Sequence, residues 1–502
     1  MASEDSDRAP AVESTDKQHD VLIKDNEVTT YVDEQPEYTN KWYDKSLLPG
    51  ILPRYSDAIS QILMVSFVCF LTPGMYNALS GIGGAGLSDV SLADNANVAL
   101  YSTFATFGFF SGVICNTIGA RACLAFGGLG YALYSASLLC YYHTANQGFV
   151  IFAGAILGVC AAMLWSAQAQ IIMSYPAENA KGRGIMTFWV IFNLGAVIGS
   201  IIPLADNINN KGSSVNDGTY IAFLVLMIFG SCLGLCLLPI GKVWKADGTR
   251  VIYQKNPSIK TEFYELYKVL RTEPKIIMLF PMFFASNWYN TYQQSDFNAG
   301  RFNVRTRSLN SLLYWFMQMF GSMFITLILD YSKLQRKTRA KIGWCIITVL
   351  TFVIWGGGLA FQLKFTRATA LDMIIDFTDK SYGGPCFLFM LYGAFDAVWQ
   401  SYLYWVMGSL SNNARKLTVY NGFYKGIQSA GAAIIWRIDA MEKPYINIFA
   451  SSWALLGASL LIAAPLIFRD ITNHTEIEKD LADSDETIQD ILLLIQLLKK
   501  KS

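Results

Sequence analysis

The sequence predicts an all-α polytopic membrane protein with twelve transmembrane helices in two bundles of six. Three observations carry that prediction: a composition poor in charge, twelve apolar runs long enough to cross a bilayer, and residues that recur between the two halves of the chain. Of 502 residues, 53% are hydrophobic and 15% charged, against roughly 45–50% and about 25% in ordinary soluble domains. Thirty-nine basic and 38 acidic residues leave a net charge of +1, so no nucleic-acid partner is expected. The nine cysteines lie in apolar runs without a CxxC pair, and there are only three histidines. They read as small buried hydrophobes, with no metal site, cofactor or disulfide framework implied.

Taken in order, residues 1–56 read as a disordered cytosolic arm. The first 40 hold eleven acidic groups against Arg8, Lys17 and Lys24, too little apolar surface to offset the entropy of ordering. No charged n-region precedes an apolar h-region, so no cleaved signal peptide is expected. A bilayer core of about 30 Å takes roughly 20 helical residues per crossing. Runs of that kind fall at about 57–79, 97–117, 122–142, 147–174, 185–205, 219–240, 276–297, 309–330, 341–361, 384–409, 416–438 and 445–468, numbered here as spans 1 to 12. Each must be helical, because lipid offers backbone groups no partners, and none alternates as a barrel strand would.

The domains are therefore 1–56, a bundle over 57–240, a central loop over 241–275, a second bundle over 276–468 and a cytosolic tail over 469–502. Basic residues favour one set of loops: Arg121, Lys181 with Arg183, the stretch Lys242–Lys275, Lys333–Lys341, and Arg415 with Lys416. The positive-inside rule puts those loops and both termini in the cytosol, in the plasma membrane or an endomembrane, although Arg301, Arg305 and Arg307 fall on the other side. The central loop mixes basic residues with Tyr264, Leu266 and Leu270 and predicts a helix lying on the inner surface. The run Asp490–Leu498 before Lys499 is too short to span, and reads as an amphipathic tail or as solvated chain. Pro73-Gly74 should bend or interrupt span 1.

Matching residues divide the spans six and six. Tyr76-Asn77 recurs as Tyr289-Asn290 at an offset of 213, and Asn116 matches Asp330 at 214. Trp165, Met173 and Asn179-Ala180-Lys181 recur as Trp399, Met407 and Asn413-Ala414-Arg415, all at 234. A longer loop near 362–383 absorbs the difference. Two related six-helix halves about a midline pathway are the architecture of major facilitator transporters. Gly112-x-x-x-Asn116-x-x-Gly119-x-Arg121 resembles that superfamily's loop signature between spans 2 and 3, with Asn116 where the signature has an acid. In the second half Asp330 keeps the acid. These five residues form the expected inner gate.

Longer motifs sharpen the resemblance. Gly74-Met-Tyr-Asn-Ala-Leu-Ser-Gly81, Ser174-Tyr-Pro-Ala-Glu-Asn179, Phe188-Trp-Val-Ile-Phe-Asn-Leu-Gly195, Asn298-Ala-Gly-Arg-Phe-Asn303 and Tyr424-Lys-Gly-Ile-Gln-Ser-Ala-Gly431 resemble the fungal branch of the Unc-ninety-three-like family, within the major facilitator superfamily. The resemblance covers nearly all of residues 45–470 and implies the major facilitator fold. It implies either a transporter or, as for animal relatives, a membrane scaffold that regulates a channel or escorts another membrane protein. It carries no agreed substrate residues.

Two ionisable residues fall at mid-depth, Asp396 in span 10 and Lys425 in span 11. A lone charge there costs on the order of 3 kcal/mol, so pairing or a wet cavity is required. The pair reads as a substrate- or proton-sensing couple, or as a structural lock between two helices. Polar stripes at spacings of three, four and seven surround it: Asp396 with Gln400; Asn421, Lys425 and Gln428; Asn287, Asn290 and Gln294; Trp165 with Gln168; and Trp189 with Asn193. Tyr76 and Asn77 complete the expected pathway. Gly108/Gly112 and Gly422/Gly426 are small-xxx-small pairs that permit close helix approach. No nucleophile–base arrangement and no Walker-type sequence occurs, which argues against an enzyme and leaves an ion gradient as the energy source for any active transport. The expected function is secondary transport of a small organic solute, with the escort role as the alternative; the partners are the bilayer, a small-molecule substrate and, for the escort, a membrane protein.

Overall fold

The computed structural model describes residues 21–24, 27–30, 41–46, 53–81, 90–209, 217–246, 248, 250–251, 259–370 and 374–475. Residues 1–39 form a unit of their own. Within it Val21–Lys24 (β1) pairs antiparallel with Glu27–Thr30 (β2).

The remainder is helical, and its described residues make twelve passes. Span 1 runs through Ala58–Cys69, a π-turn at Phe70–Gly74 and Met75–Gly81. Pro73 sits inside that π-turn, so the proline interrupts the helix as its missing N–H requires. Spans 2 to 6 are Val90–Ile118, Ala120–Thr144, Gln147–Ser174, Lys181–Asn209 and Asp217–Leu235. Spans 8 to 12 are Val304–Leu329, Arg336–Gln362, Gly383–Leu410, Ala414–Ala440 and Tyr445–Pro465. The chain turns sharply from span 2 into span 3 at Gly119, whose φ of 86° a side chain would oppose. Asparagines cap three helices through their side chains: Asn146 to the Phe149 N–H, Asn303 to Thr306 and Asn413 to Arg415.

Among the described residues, eight helices are long and apolar enough to cross a membrane by length and composition. The other four passes fall short for visible reasons. Span 6 is short. Spans 10 and 11 carry the mid-depth charges among tyrosines and amides. Span 7 is broken into a 3₁₀ turn at Pro274–Leu279, short α segments at Phe280–Ala285 and Trp288–Thr291, and a π-helix at Tyr292–Ala299.

The halves meet where span 2 packs on span 11 and span 5 on span 8. At the first crossing a Cβ on Gly108 would lie 2.7 Å from the Gly426 Cα, and one on Gly112 would lie 3.0 Å from the Thr418 carbonyl oxygen. The small pairs therefore face each other across the halves, and backbone packs on backbone.

Two sequence expectations need correction. The arm is not unstructured up to residue 56: Trp42–Asp44 form a 3₁₀ turn with Tyr43 buried, the Ser56 N–H bonds the Tyr43 carbonyl, and Trp244 exchanges backbone bonds with Ser56 and Ala58. Acid dominates only the first 40 residues, whereas Trp42, Tyr43 and Tyr55 supply apolar surface that packs. The cysteines are not uniformly buried either, since Cys232 and Cys345 are exposed on their helices and Cys236 is exposed just past the end of span 6. A thiol is apolar enough to face lipid as readily as core. The central loop contains a helix, Ile259–Thr272, with Val269 buried and Phe263, Tyr264 and Tyr267 exposed. The Asp490–Leu498 run lies outside the described residues.

Candidate substrate pathway between the halves

Asp396 is buried in the second half and saturated with donors. Its Oδ1 accepts from the Tyr289 hydroxyl at 2.7 Å and from Gln400 Nε2 at 2.8 Å. Its Oδ2 accepts from Gln318 Nε2 at 2.9 Å and from the Tyr314 hydroxyl at 3.4 Å. Four donor side chains from three spans, 7, 8 and 10, thus converge on one carboxylate, with Gln400 one turn along its own helix. Hydrogen bonds of this number solvate a buried charge without a cation.

Lys425 makes no ion pair with Asp396 among the described residues, although the sequence places the two charges at the same depth. Its ammonium donates to Gln428 Oε1 at 2.9 Å and lies over the rings of Trp165 and Tyr424, each 4.7 Å from the nitrogen, and of Tyr404 at 5.6 Å. Two amides stand between the charges. Gln400 donates to Asp396 and its oxygen accepts from Tyr424 at 3.1 Å and Gln428 at 3.4 Å, while Gln428 accepts from Lys425. Asp396 is therefore held by its own half, and Lys425 by aromatic faces, one of which belongs to the other half.

The remaining expected residues divide clearly. Gln428 Nε2 also donates to Asn287 Oδ1 at 3.0 Å, and Asn290 donates to the same oxygen at 3.3 Å. Asn421 reaches across the halves and donates to the Trp165 carbonyl at 3.2 Å. Trp165 donates to the Tyr131 hydroxyl, and its ring packs on Phe188 and Phe192. Gln168 is fully buried with neither amide atom partnered; Trp189 Nε1 and Asn193 Oδ1 are buried and unpartnered too, Asn193 Nδ2 bonding only the Trp189 carbonyl of its own helix. Tyr76 sits edge-on to Tyr131 and Tyr134, half-buried, as is Asn77. Gln294 is half-buried, and its neighbour Gln293, with Oε1 3.0 Å from the Tyr314 hydroxyl, shares that single proton with Asp396. The stripe in span 7 assumed a straight α-helix, and the π-helix turns Gln293 inward as well.

Sequence reasoning missed Tyr314, Gln318, Tyr404 and Tyr424. Tyr314 and Gln318 stand four apart on span 8, so a search of tyrosines as well as amides at helical spacing would have found them.

At the end of the molecule bearing the basic loops, the halves are tied together. The Asp330 carboxylate accepts the backbone N–H groups of Gly182 at 2.9 Å and Arg183 at 2.6 Å, capping the N-terminal turn of span 5 from the other half. Burial pushes its carboxyl above the ordinary range, against the pull of those two N–H groups. Lys181 donates to the carbonyls of Gly408 and Ser411 at the end of span 10, where the helix dipole favours a cation. Arg336 pairs with Glu178 and also bonds Thr472 and Thr475 beyond span 12. Of the other expected gate residues, Gly112 packs on the Thr418 backbone across the seam, Asn116 accepts from Gln170 at 3.2 Å, and Arg121 donates to the Leu235 carbonyl at 2.7 Å.

Comparison with known proteins agrees with this architecture. Residues 58–435 match the model of the Major Facilitator Superfamily. An UNC93-like protein of Schizosaccharomyces pombe is 54% identical over 425 residues, covering 84% of each chain. UNC93-like protein 1 of Arabidopsis thaliana is 38% identical over 447 residues, 88% of this chain and 95% of that one. Among solved structures, the proton:xylose symporter XylE bound to 6-bromo-6-deoxy-D-glucose superposes with a TM-score of 0.59 at 13% identity, covering 85% of this chain and 98% of that one.

Proposed function

The chain belongs to the UNC93-like family of the major facilitator superfamily, and from that premise we propose that it is a secondary transporter that moves a small organic solute by alternating access. One observation supports the reading above the others. At mid-depth, between the halves, Lys425 of the second half lies on Trp165 of the first, within a buried network of amides and tyrosines. A polar site shared by two bundles is what rocking one bundle against the other exposes to each side in turn.

In this reading both termini and the basic loops face the cytosol, the membrane being the plasma membrane or an endomembrane. The hydrogen bonds that join the halves around Asp330, Lys181 and Glu178 then hold the cytosolic side shut, and the site opens to the opposite side. Asp330, Gly112, Gly119, Arg121 and Asn116 act as the gate that must part for the cycle to continue. Asp396, Lys425, Gln400, Gln428, Asn421, Asn287, Asn290 and Gln294 form one wall of the pathway; Trp165, Gln168, Trp189, Asn193, Tyr76 and Asn77 form the facing wall.

The test is solute flux into liposomes containing the purified full chain, screened over neutral, anionic and cationic organic solutes with and without a proton gradient. Flux of at least one class is expected, reduced at least about tenfold in the double variant Asp396→Asn/Lys425→Gln. A folded protein that moves none of them overturns the proposal.

A further inference from the structure

Lys425 is a cation with spare hydrogen-bonding capacity. An ammonium has three donors, and the one hydrogen bond it makes among the described residues is to Gln428 Oε1. The rings of Trp165, Tyr424 and Tyr404 around it offer π-faces but no lone pairs. The nearest balancing charge on span 10, Asp396, has its own four donors and lies beyond Gln400. Tyr404, whose ring centroid lies 5.6 Å from the lysine nitrogen, has a hydroxyl that is fully buried and unpartnered among the described residues. Its ring packs edge-on to Tyr424 at 5.4 Å, so spans 10 and 11 fix both groups.

A buried hydroxyl without a partner costs on the order of 1–3 kcal/mol, and a buried ammonium left under-bonded costs more. Both costs fall when one group accepts from both donors. Facing them across the halves, Trp165 packs with Phe188, Phe192 and, through Phe192, Trp189. Buried and unpartnered Gln168 lies one turn along from Trp165. This wall is flat and apolar, with one adaptable amide.

We infer that Lys425 and Tyr404 bind the carboxylate of a small organic anion whose planar body rests against Trp165. The inference rests on reading this region as the substrate pathway and adds the substrate's charge and shape. A neutral amide ligand would leave the ammonium unbalanced, and an amine would be repelled by it.

Equilibrium dialysis of the detergent-purified full chain tests this with radiolabelled propionate, benzoate and 2-naphthoate, each against its amide, and with benzylamine. At least one of the aromatic carboxylates should bind about tenfold or more tighter than its amide, and benzylamine most weakly. Lys425→Gln should abolish the preference for carboxylate, and Lys425→Arg should retain part of it. Tyr404→Phe, which removes only the unpartnered hydroxyl, should weaken the carboxylate several-fold with the unfolding temperature unchanged, so it reports on the site even where Lys425→Gln fails to fold. Equal binding of acid and amide, preference for the amine, binding of no carboxylate, or an unaltered Tyr404→Phe variant would each overturn the inference. Flux of the same probes keeps the two ideas apart. Carboxylate binding without any flux removes the transporter and leaves the anion site, whereas flux of neutral solutes without carboxylate preference does the reverse.

Discussion

The two halves share recurring residues, yet they treat buried polarity in different ways. In the second half the mid-depth amides bond other side chains: Gln400 and Gln318 to Asp396, Gln428 to Asn287. In the first half Gln168 has no partner and Asn193 turns back on its own helix. The duplicated tryptophans repeat the contrast. Trp399 is locked by its N–H to the Ser286 hydroxyl inside its half, while the ring of Trp165 is presented to Lys425 across the interface. One half is thus a pre-assembled polar wall, and the other an aromatic wall whose polar atoms remain open.

The largest expected effect breaks the pre-assembled side. Asp396→Leu removes the acceptor of four buried donors, and we expect a loss of about 3–5 kcal/mol in stability, as when one member of a buried charged network is deleted. Gln168→Leu removes a group with nothing bonded to it and should be neutral within about 1 kcal/mol, or stabilising. Thermal unfolding of both variants in detergent checks the pair, and losses of equal size would dissolve the distinction between the walls.

The seam between the halves comes next. A side chain on Gly108 meets the backbone of Gly426, which cannot move aside as a side chain can. Gly108→Val should cost about 1–3 kcal/mol by forcing span 2 away from span 11, whereas Gly356→Ala in span 9, with nothing within 4 Å of the added carbon, should cost nothing. Unfolding midpoints of the two variants make the measurement, and an equal loss at Gly356 would locate the sensitivity in the helices rather than at the seam.

How much of this was legible in the sequence follows the same divide between local and tertiary causes. Span 4 was readable to its ends, Gln147–Ser174, because a continuous apolar run of that length has one solution in lipid. Asp396 with Gln400 and Lys425 with Gln428 were readable as pairs, because each lies on one straight helix where spacing fixes the face. Span 7 was not, since its 3₁₀ and π segments change the number of residues per turn. Nor was the partnership of Asp396 with Tyr289, Tyr314 and Gln318, which depends on how three helices rotate against one another. Of the two ways to offset the mid-depth charges, pairing or a wet cavity, a direct pair is not seen among the described residues for that reason: matching depth says nothing about which side of each helix faces the other.

Asn116 and Asp330 compare the halves at a single position. Each lies in the last turn of its helix or just beyond it at the basic end; Asn116 accepts from Gln170 of its own half, whereas Asp330 accepts from the other half, where it caps span 5. Asn is as good an N-cap as Asp, and burial already disfavours the charged carboxyl here. Asp330→Asn should therefore leave the contact nearly intact, while Asp330→Ala should weaken it by about 1 kcal/mol. Because burial raises the folded carboxyl, this group gives the closed arrangement its full stability below the ordinary aspartate range and less as pH rises through the raised value, even though each N–H bond itself favours the ionised form. Labelling of a cysteine introduced beside Gly182 measures this, and faster labelling on acidification would contradict the sign.

The smallest effect lies at the far end of the second half, where Asp376 strengthens a wall that is already rigid. Arg305 bonds this carboxylate through Nε at 3.1 Å to both oxygens and through a second nitrogen, and the Thr306 hydroxyl accepts the Phe377 N–H beside it. The guanidinium holds the Asp376 carboxyl down to about 2. A depressed folded value gives stability that is present above the unfolded value of about 3.9 and is lost as pH falls through the folded one. The gap in unfolding midpoint between wild type and Asp376→Asn should thus be small, constant from pH 8 to about 5, and shrinking from about pH 4 towards 2. A gap that instead changes near neutrality would mean that the pair reports on another group, and the Arg305–Asp376 contact would no longer belong to the fixed framework of its half.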